Sequence, residues 1–458
     1  MASTYLSRTS TSATLATKYT LSFWIKIAKV GTDYRIVNQY ADANNTAAIY
    51  FDASNNYLNI VDKLSGSTHL DISTTRKFRD TTAWYHIVIA ADTTQATAAD
   101  RLKVYINGVQ ETSFSPNTYP SQNASLGMQT VSASGQRRIG THNGGNGDFL
   151  DGSLAHFHFI DGLAYPASTF GETDSESGIW VPKTSPSVTY GNNGVFLKFE
   201  NSAAMGTDSS GNSNTYTVNG TMTQNKDTPS NNFATLNSLY NPTGSPSFTN
   251  GLLTVSGYDS GKFYSASTLG VNKGKWYSEY KIQATQTSAT IHLGISSNPE
   301  KNSYHNYFPG EDTRSYSWGE FGSTWYNGTG TAQGTTFTTG DIVGIALDVD
   351  NSKLYFSKNG SWISIGGVTG VPTSGSTGTG AISINDADAN DGNGFWHFAI
   401  GDNSGSYGSD NIINCNFGQG YFGTTAVASA GTNASDNGIF EYDVPTGYTA
   451  LSTKGLNS

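Results

Sequence analysis

From Tyr19 the chain alternates: Leu21, Phe23 and Ile25 fall on one face and Ser22, Trp24 and Lys26 on the other. A period of two is the mark of a half-buried strand. The period recurs in Tyr85, Ile87 and Ile89 and in Leu102, Val104 and Ile106, a run that ends in Asn107-Gly108, a pair suited to the positive φ of a tight hairpin. Residues 154–160 predict a further strand with Ala155, Phe157 and Phe159 inward. The second half uses the same devices with different residues. Residues 275–282 and 291–295 read as strands, and a hairpin spans 341–362. There Val343, Ile345, Leu347 and Val349 share a face, Asp350-Asn351-Ser352 turns the chain, Leu354 and Phe356 return, and Asn359-Gly360 turns it again. Residues 395–400 and 412–417 complete this second set, and no stretch carries a 3.6-residue period. The pattern predicts an all-β protein of two antiparallel β-sandwich (jelly-roll) domains in tandem. The expected divisions are 1–232, 233–425 and a C-terminal tail, 426–458, docking on a sandwich. The boundary is placed at the Pro- and Asn-containing run 227–233.

Composition narrows the function. Charged residues make up 13% of the 458 and aromatics 12%, with 52 Gly, which fits neither a disordered chain nor a helical bundle. The net charge of −10 argues against nucleic acid as a partner, because phosphate binding needs clustered Lys and Arg. The single Cys415 excludes an intrachain disulfide and a cysteine zinc site. The opening residues show no basic and apolar signal segment, and no run approaches the roughly 18–20 apolar residues of a membrane span. Synthesis in a cytoplasm is expected, yet the uncharged Gly/Ser/Thr/Asn-rich surface suits an exposed extracellular protein.

At this point the residues carry a resemblance. Residues 21–26, 84–87, 104–108 and 149–154 make the first half similar to the laminin-G-like, concanavalin A-like jelly rolls. Residues 274–279, 340–350, 354–360 and 416–419 make the second half similar to a SPRY domain. The pairing resembles virion proteins of marine and cyanobacterial bacteriophages, through the runs 151–162, 170–173, 208–212, 228–237 and 440–448. That resemblance implies a virion surface location without a secretory signal, and other virion proteins and host-cell carbohydrate as partners. It also implies a homo-oligomer, with a trimer the most natural closed form. The run 196–220 resembles the opening of a jelly roll but follows its closing strand. A circular permutation is therefore expected, with residues 195–220 pairing beside the strand at Tyr19.

Chemistry is sparse. Retaining glycoside hydrolysis needs two carboxylates about 5–5.5 Å apart. The nearest spacing is Glu441-Tyr442-Asp443, read as a solvated strand face. His156 and His158 share a face by period but lack a third zinc ligand, and a polar solvent face is the expectation. Residues 386–392 resemble a calcium loop with its Gly one place late and His397 where the bidentate Glu belongs, so no cofactor or metal is expected. The aromatic run 304–326 is the strongest ligand candidate, because rings stack on sugars. Within it Trp318 and Phe321 fit a core. Tyr304, Tyr307, Trp325 and Tyr326 look loop-borne and form the expected glycan- or partner-binding platform. The expectation is a non-enzymatic virion surface protein of the tail-fibre or adhesin type that binds host glycans. A capsid decoration protein clamping coat subunits is the alternative, and a glycan hydrolase the remote one.

Overall fold

The computed structural model describes all residues except 1–3, 130–134, 143–146, 176, 241–245, 258–261, 286–289, 301–306, 404–410 and 458. The chain divides into two compact units, Met1–Gln224 and Asn225–Ser458. Residues 225–232 go with the second unit, where Lys226 N donates to Gln419 O at 3.1 Å. Both units are pairs of sheets, all-β as the alternation predicts. Thr453–Leu456 forms a four-residue α-helix.

The first unit packs an eight-stranded sheet on a six-stranded one. The larger runs in the order Phe114–Thr118, Ser67–Lys77, Tyr57–Leu64, Asn45–Phe51, Tyr34–Asp42, Gln136–Ile139, Tyr5–Thr9 and Thr217–Asn219. The smaller runs Val195–Leu197, Gly152–Asp161, Lys18–Ile27, Tyr85–Asp92, Leu102–Ile106 and Val109–Glu111. Their inner faces interdigitate, with Leu21, Phe23, Ile25, Ile87, Ile89 and Val104 meeting Ile49, Ile60 and Ile72. The turn at Asn107 and Gly108 has φ of 49° and 83°, as the residue pair requires.

Two details differ from the sequence expectation. The strand at 152–161 carries a bulge at His156, whose φ is 46°. One extra residue flips the parity, so Leu154 rather than Ala155 packs on the core before Phe157 and Phe159. The 195–220 run does join the sheets, but with other neighbours. Val195–Leu197 pairs with Gly152–Asp161, which separates it from the strand at Tyr19, and Thr217–Asn219 pairs with residues 5–7 of the opposite sheet.

In the second unit a nine-stranded sheet has the main order Ser247–Thr249, Thr254–Ser256, Ile412–Asn416, Lys275–Ala284, Ile342–Asp348, Lys353–Lys358 and Ser361–Trp362. Ile382–Ser383 and Thr449–Ala450 attach beside it, the latter in parallel. The facing sheet runs Tyr264–Ala266, His397–Asp402, Ile291–Ser296, Ser315–Gly319, Ser323–Tyr326 and Thr329–Ala332. Val343, Ile345, Leu347, Leu354 and Phe356 line the core, where Trp318 is fully buried. Phe321 is not core: it lies in the turn after Ser315–Gly319 and is 63% exposed.

Three of the four outward sheet faces carry an extra layer. Ala167, Phe170, Trp180 and Tyr190 cover Val88 and Ile160 on the first unit's six-stranded sheet. Phe440, Val444 and Tyr448 from the C-terminal segment cover Tyr277, Ala346 and Tyr355 on the nine-stranded sheet. This segment is an intrachain seal, and Glu441 and Asp443 within it form no strand. On the second unit's six-stranded sheet, Tyr240 packs on Tyr264, Ala266 and Ala399, and the Phe308 ring lies 4.0 Å from that of His292.

Candidate functional site

Of the predicted platform, Tyr304 lies outside the described residues, and Tyr307 is half-buried beside them. Trp325 and Tyr326 are strand residues, not loop residues, and consecutive strand residues point to opposite faces. Trp325 is opposite Ser317 on the outer face, and Tyr326 is opposite Tyr316 on the inner face. Tyr326 stacks on Tyr316 at 4.5 Å and 10°, and its hydroxyl accepts from Asn385 Nδ2 at 2.8 Å. Trp325 meets Phe308 and His292 edge to face at 5.4 and 5.5 Å. A Cβ at Gly330 would come within 2.9 Å of its indole. The pair therefore cannot present one surface to a sugar: one ring supports the core and the other wedges a covering loop.

The histidines are equally engaged. Trp180 Nε1 donates to His86 Nδ1 at 2.9 Å, which leaves the proton on Nε2 to reach Ser22 Oγ at 2.9 Å. Burial holds His86 neutral, pushing its pKa down to about 3. His158 is 1% exposed, stacks on Phe196 at 3.9 Å and pairs with the Tyr190 hydroxyl at 2.9 Å. The expected solvent face is thus a buried aromatic layer, because the 163–196 segment folds over it. The carboxylates serve as backbone acceptors too. Glu441 accepts from Ala428 N, and Asp443 from Thr432 N and Oγ1. Glu320, pushed up to about 7 by burial and by Asp402, accepts from Ile291 N at 2.9 Å. Residues 386–392 form a turn through Ala389–Asp391. Among the described residues no group of three or more His, Cys, Asp or Glu is placed to hold a metal ion.

The fourth outward face, on the eight-stranded sheet, carries no apolar layer of described residues. Strand register places one outward residue of each strand in a row: Thr217, Ser7, Arg138, Asn38, Ala48, Val61, Asp71 and Thr118. Asn38 and Ala48 are small and buried, and they make a floor. Half-buried Tyr40 stands on one side of that floor, and Tyr50 and Tyr5 on the other. Arg35 lies 3.9 Å over the Tyr50 ring and steadies it. The product is a shallow trough across the strands, walled by tyrosines and edged by Arg138, Lys63 and Asp71. Sequence reading missed it because its residues alternate with core residues on six strands spread from Tyr5 to Arg138. The retrievable signal was a Tyr, Asn or Arg at the outward positions of residues 35–50.

Residues 2–166 match the concanavalin A-like lectin/glucanases superfamily, and residues 275–375 match the SPRY domain. Over 94 residues the chain is 33% identical to Ran-binding protein 9 of Danio rerio, covering 20% of this chain and 15% of that protein. Over 89 residues it is 34% identical to Ran-binding protein 10 of Danio rerio, covering 19% and 14%. The chain thus spans about 15% of the length of these curated relatives. The SPRY domain of human HERC1 aligns at 17% identity over 37% of this chain and 91% of that one, with a TM-score of 0.28. The chain carries a concanavalin A-like domain in its first half and a SPRY domain in its second.

Proposed function

We propose that the protein is a non-enzymatic, adhesive component of a phage virion surface that binds host surface glycans. The reading rests on the virion-like motif runs, and the trough on the eight-stranded sheet is the observation that carries the glycan part. Tyrosine faces stack on sugar rings, while Arg138, Lys63 and Asp71 at its edges offer donors and acceptors for hydroxyls. Of the four described carboxylates with raised pKa, Asp62, Glu279 and Glu320 each accept backbone N–H groups, which supports binding over hydrolysis, and burial raises the fourth, Asp151. The test is binding of the full chain to an array of bacterial surface polysaccharides, with the parent beside Tyr40→Ala and Tyr50→Ala. Loss of binding in both variants with melting unchanged is expected. Equal binding by parent and variants would remove the trough from the reading, and reducing sugar released from any bound polysaccharide would replace it with hydrolysis.

A further inference from the structure

Each of the four large sheets ends in strands with one unpaired side, and such edges recruit other chains unless they are blunted. Most edges here are. Phe114–Thr118 carries Pro116 and a register shift, and Thr217–Asn219 has three residues. Val109–Glu111 also has three, with Glu111 bound to Arg76. Val195–Leu197 and Tyr264–Ala266 are buried, and Ser247–Thr249 and Ser361–Trp362 are three and two residues long. Among the described residues of the four large sheets, the remaining edge is Thr329–Ala332, four residues, all exposed.

This edge lacks the charge and the proline that usually guard one. No charged residue and no proline occurs from 321 to 340. The strand is joined to Ser323–Tyr326 by the two-residue turn Asn327-Gly328, with φ of 50° and 69°. In such a hairpin the residues flanking the turn, Tyr326 and Thr329, form a hydrogen-bonded pair, and pairs alternate from there. Gly330 and Ala332 therefore direct both N–H and C=O away from the hairpin. Gly330 keeps the outer face of the edge flat over the Trp325 indole, and Phe321, 63% exposed, lies in the turn at the Ala332 end.

We propose that Thr329–Ala332 is the seam of a homodimer, pairing antiparallel with the same strand of a second copy so that two six-stranded sheets become one. The strand is self-complementary. A two-fold axis through Thr331 sets Gly330 opposite Ala332 of the other copy on both sides, each pair exchanging its hydrogen bonds, with nothing larger than threonine across the seam. The self-complementary register selects a second copy as occupant, and charge permits it: this stretch lets two molecules of net charge −10 meet without a charge between them. The inference goes beyond glycan binding and does not depend on it, and it replaces the expected three-fold form with a two-fold one.

Light scattering of the full chain over the micromolar range is the test. The parent is expected at twice the chain mass. T331K, which sets two lysines across the axis, and A332P, which removes an outward N–H, are expected at the monomer mass with the parent's melting temperature. Equimolar T331K and T331E are expected to recover a dimer, which separates the seam from a folding defect. A monomeric parent, a dimeric T331K, or no recovery in the mixture would overturn the proposal.

Discussion

Glu279 fastens the C-terminal segment to the second sandwich, and its charge can be tested by pH. Its carboxylate is fully buried, accepting from Glu441 N at 2.8 Å, from Tyr442 N at 2.9 Å and from the Tyr277 hydroxyl at 3.1 Å. Burial, with Glu441 adding like charge, pushes the carboxyl up from 4.5 to about 7 despite those donors. A carboxyl raised in the folded state stays protonated where the unfolded chain has already released its proton. Stability therefore falls as pH rises from 4.5 to about 7 and is flat above. The full drop is on the order of 3 kcal/mol. In Glu279→Gln an amide NH2 faces one of the two backbone donors, a loss of about 1–3 kcal/mol that does not vary with pH. The informative quantity is the difference in urea-unfolding free energy between parent and variant, measured at pH 5 and pH 8, because every other titration cancels. The parent's advantage should shrink by roughly 3 kcal/mol between the two. Parallel pH profiles would refute the claim that burial in the fold raises the Glu279 carboxyl.

Other groups give further predictions. His86, held down to about 3 by burial, contributes stability that is present above 6.5 and lost as pH falls toward 3, a loss of roughly 4–5 kcal/mol; His86→Gln should flatten the acid limb of the melting profile. Trp325→Ala should cost about 2–4 kcal/mol in chemical denaturation, where a loop-borne platform residue would cost little, because the indole supports Phe308 and His292. Cys415 is fully buried with its thiol pushed up by burial, so a thiol reagent should label it at the rate of unfolding and not before.

Period-two alternation carried much of the fold. The hairpin at 341–362 needed nothing beyond Val343, Ile345, Leu347 and its two turns, because strand parity is local. Parity failed at Ala155, where one extra residue enters against Lys18–Ile27 at the His156 bulge, which alternation along the chain does not report. The site was less legible for a related reason. An aromatic-rich run looks the same whether its rings meet solvent or one another. Trp325 and Tyr326 were separated by a strand face, Phe321 was left outside, and the His158 ring was covered by a segment thirty-odd residues away in sequence. Covering layers come from long-range closure, which periodicity does not report.

The C-terminal seal has a consequence for how the protein is made. Ala234 N donates to Leu451 O at 2.9 Å, and Phe233 bridges Ser452, so the second unit's opening residues bond to its closing ones. Synthesis runs from the N-terminus, and domains generally fold as units as they emerge. Residues 440–451 leave the ribosome after the strands they cover. Until then the nascent unit displays Tyr277, Ala346 and Tyr355 on an open face, and Ala234 waits for its partner. The first unit passes through a similar interval, because residues 217–219 pair with residues 5–7 and the segment from Ala167 to Tyr190 covers Val88 and Ile160, but it ends earlier, so the two halves of one chain mature in succession.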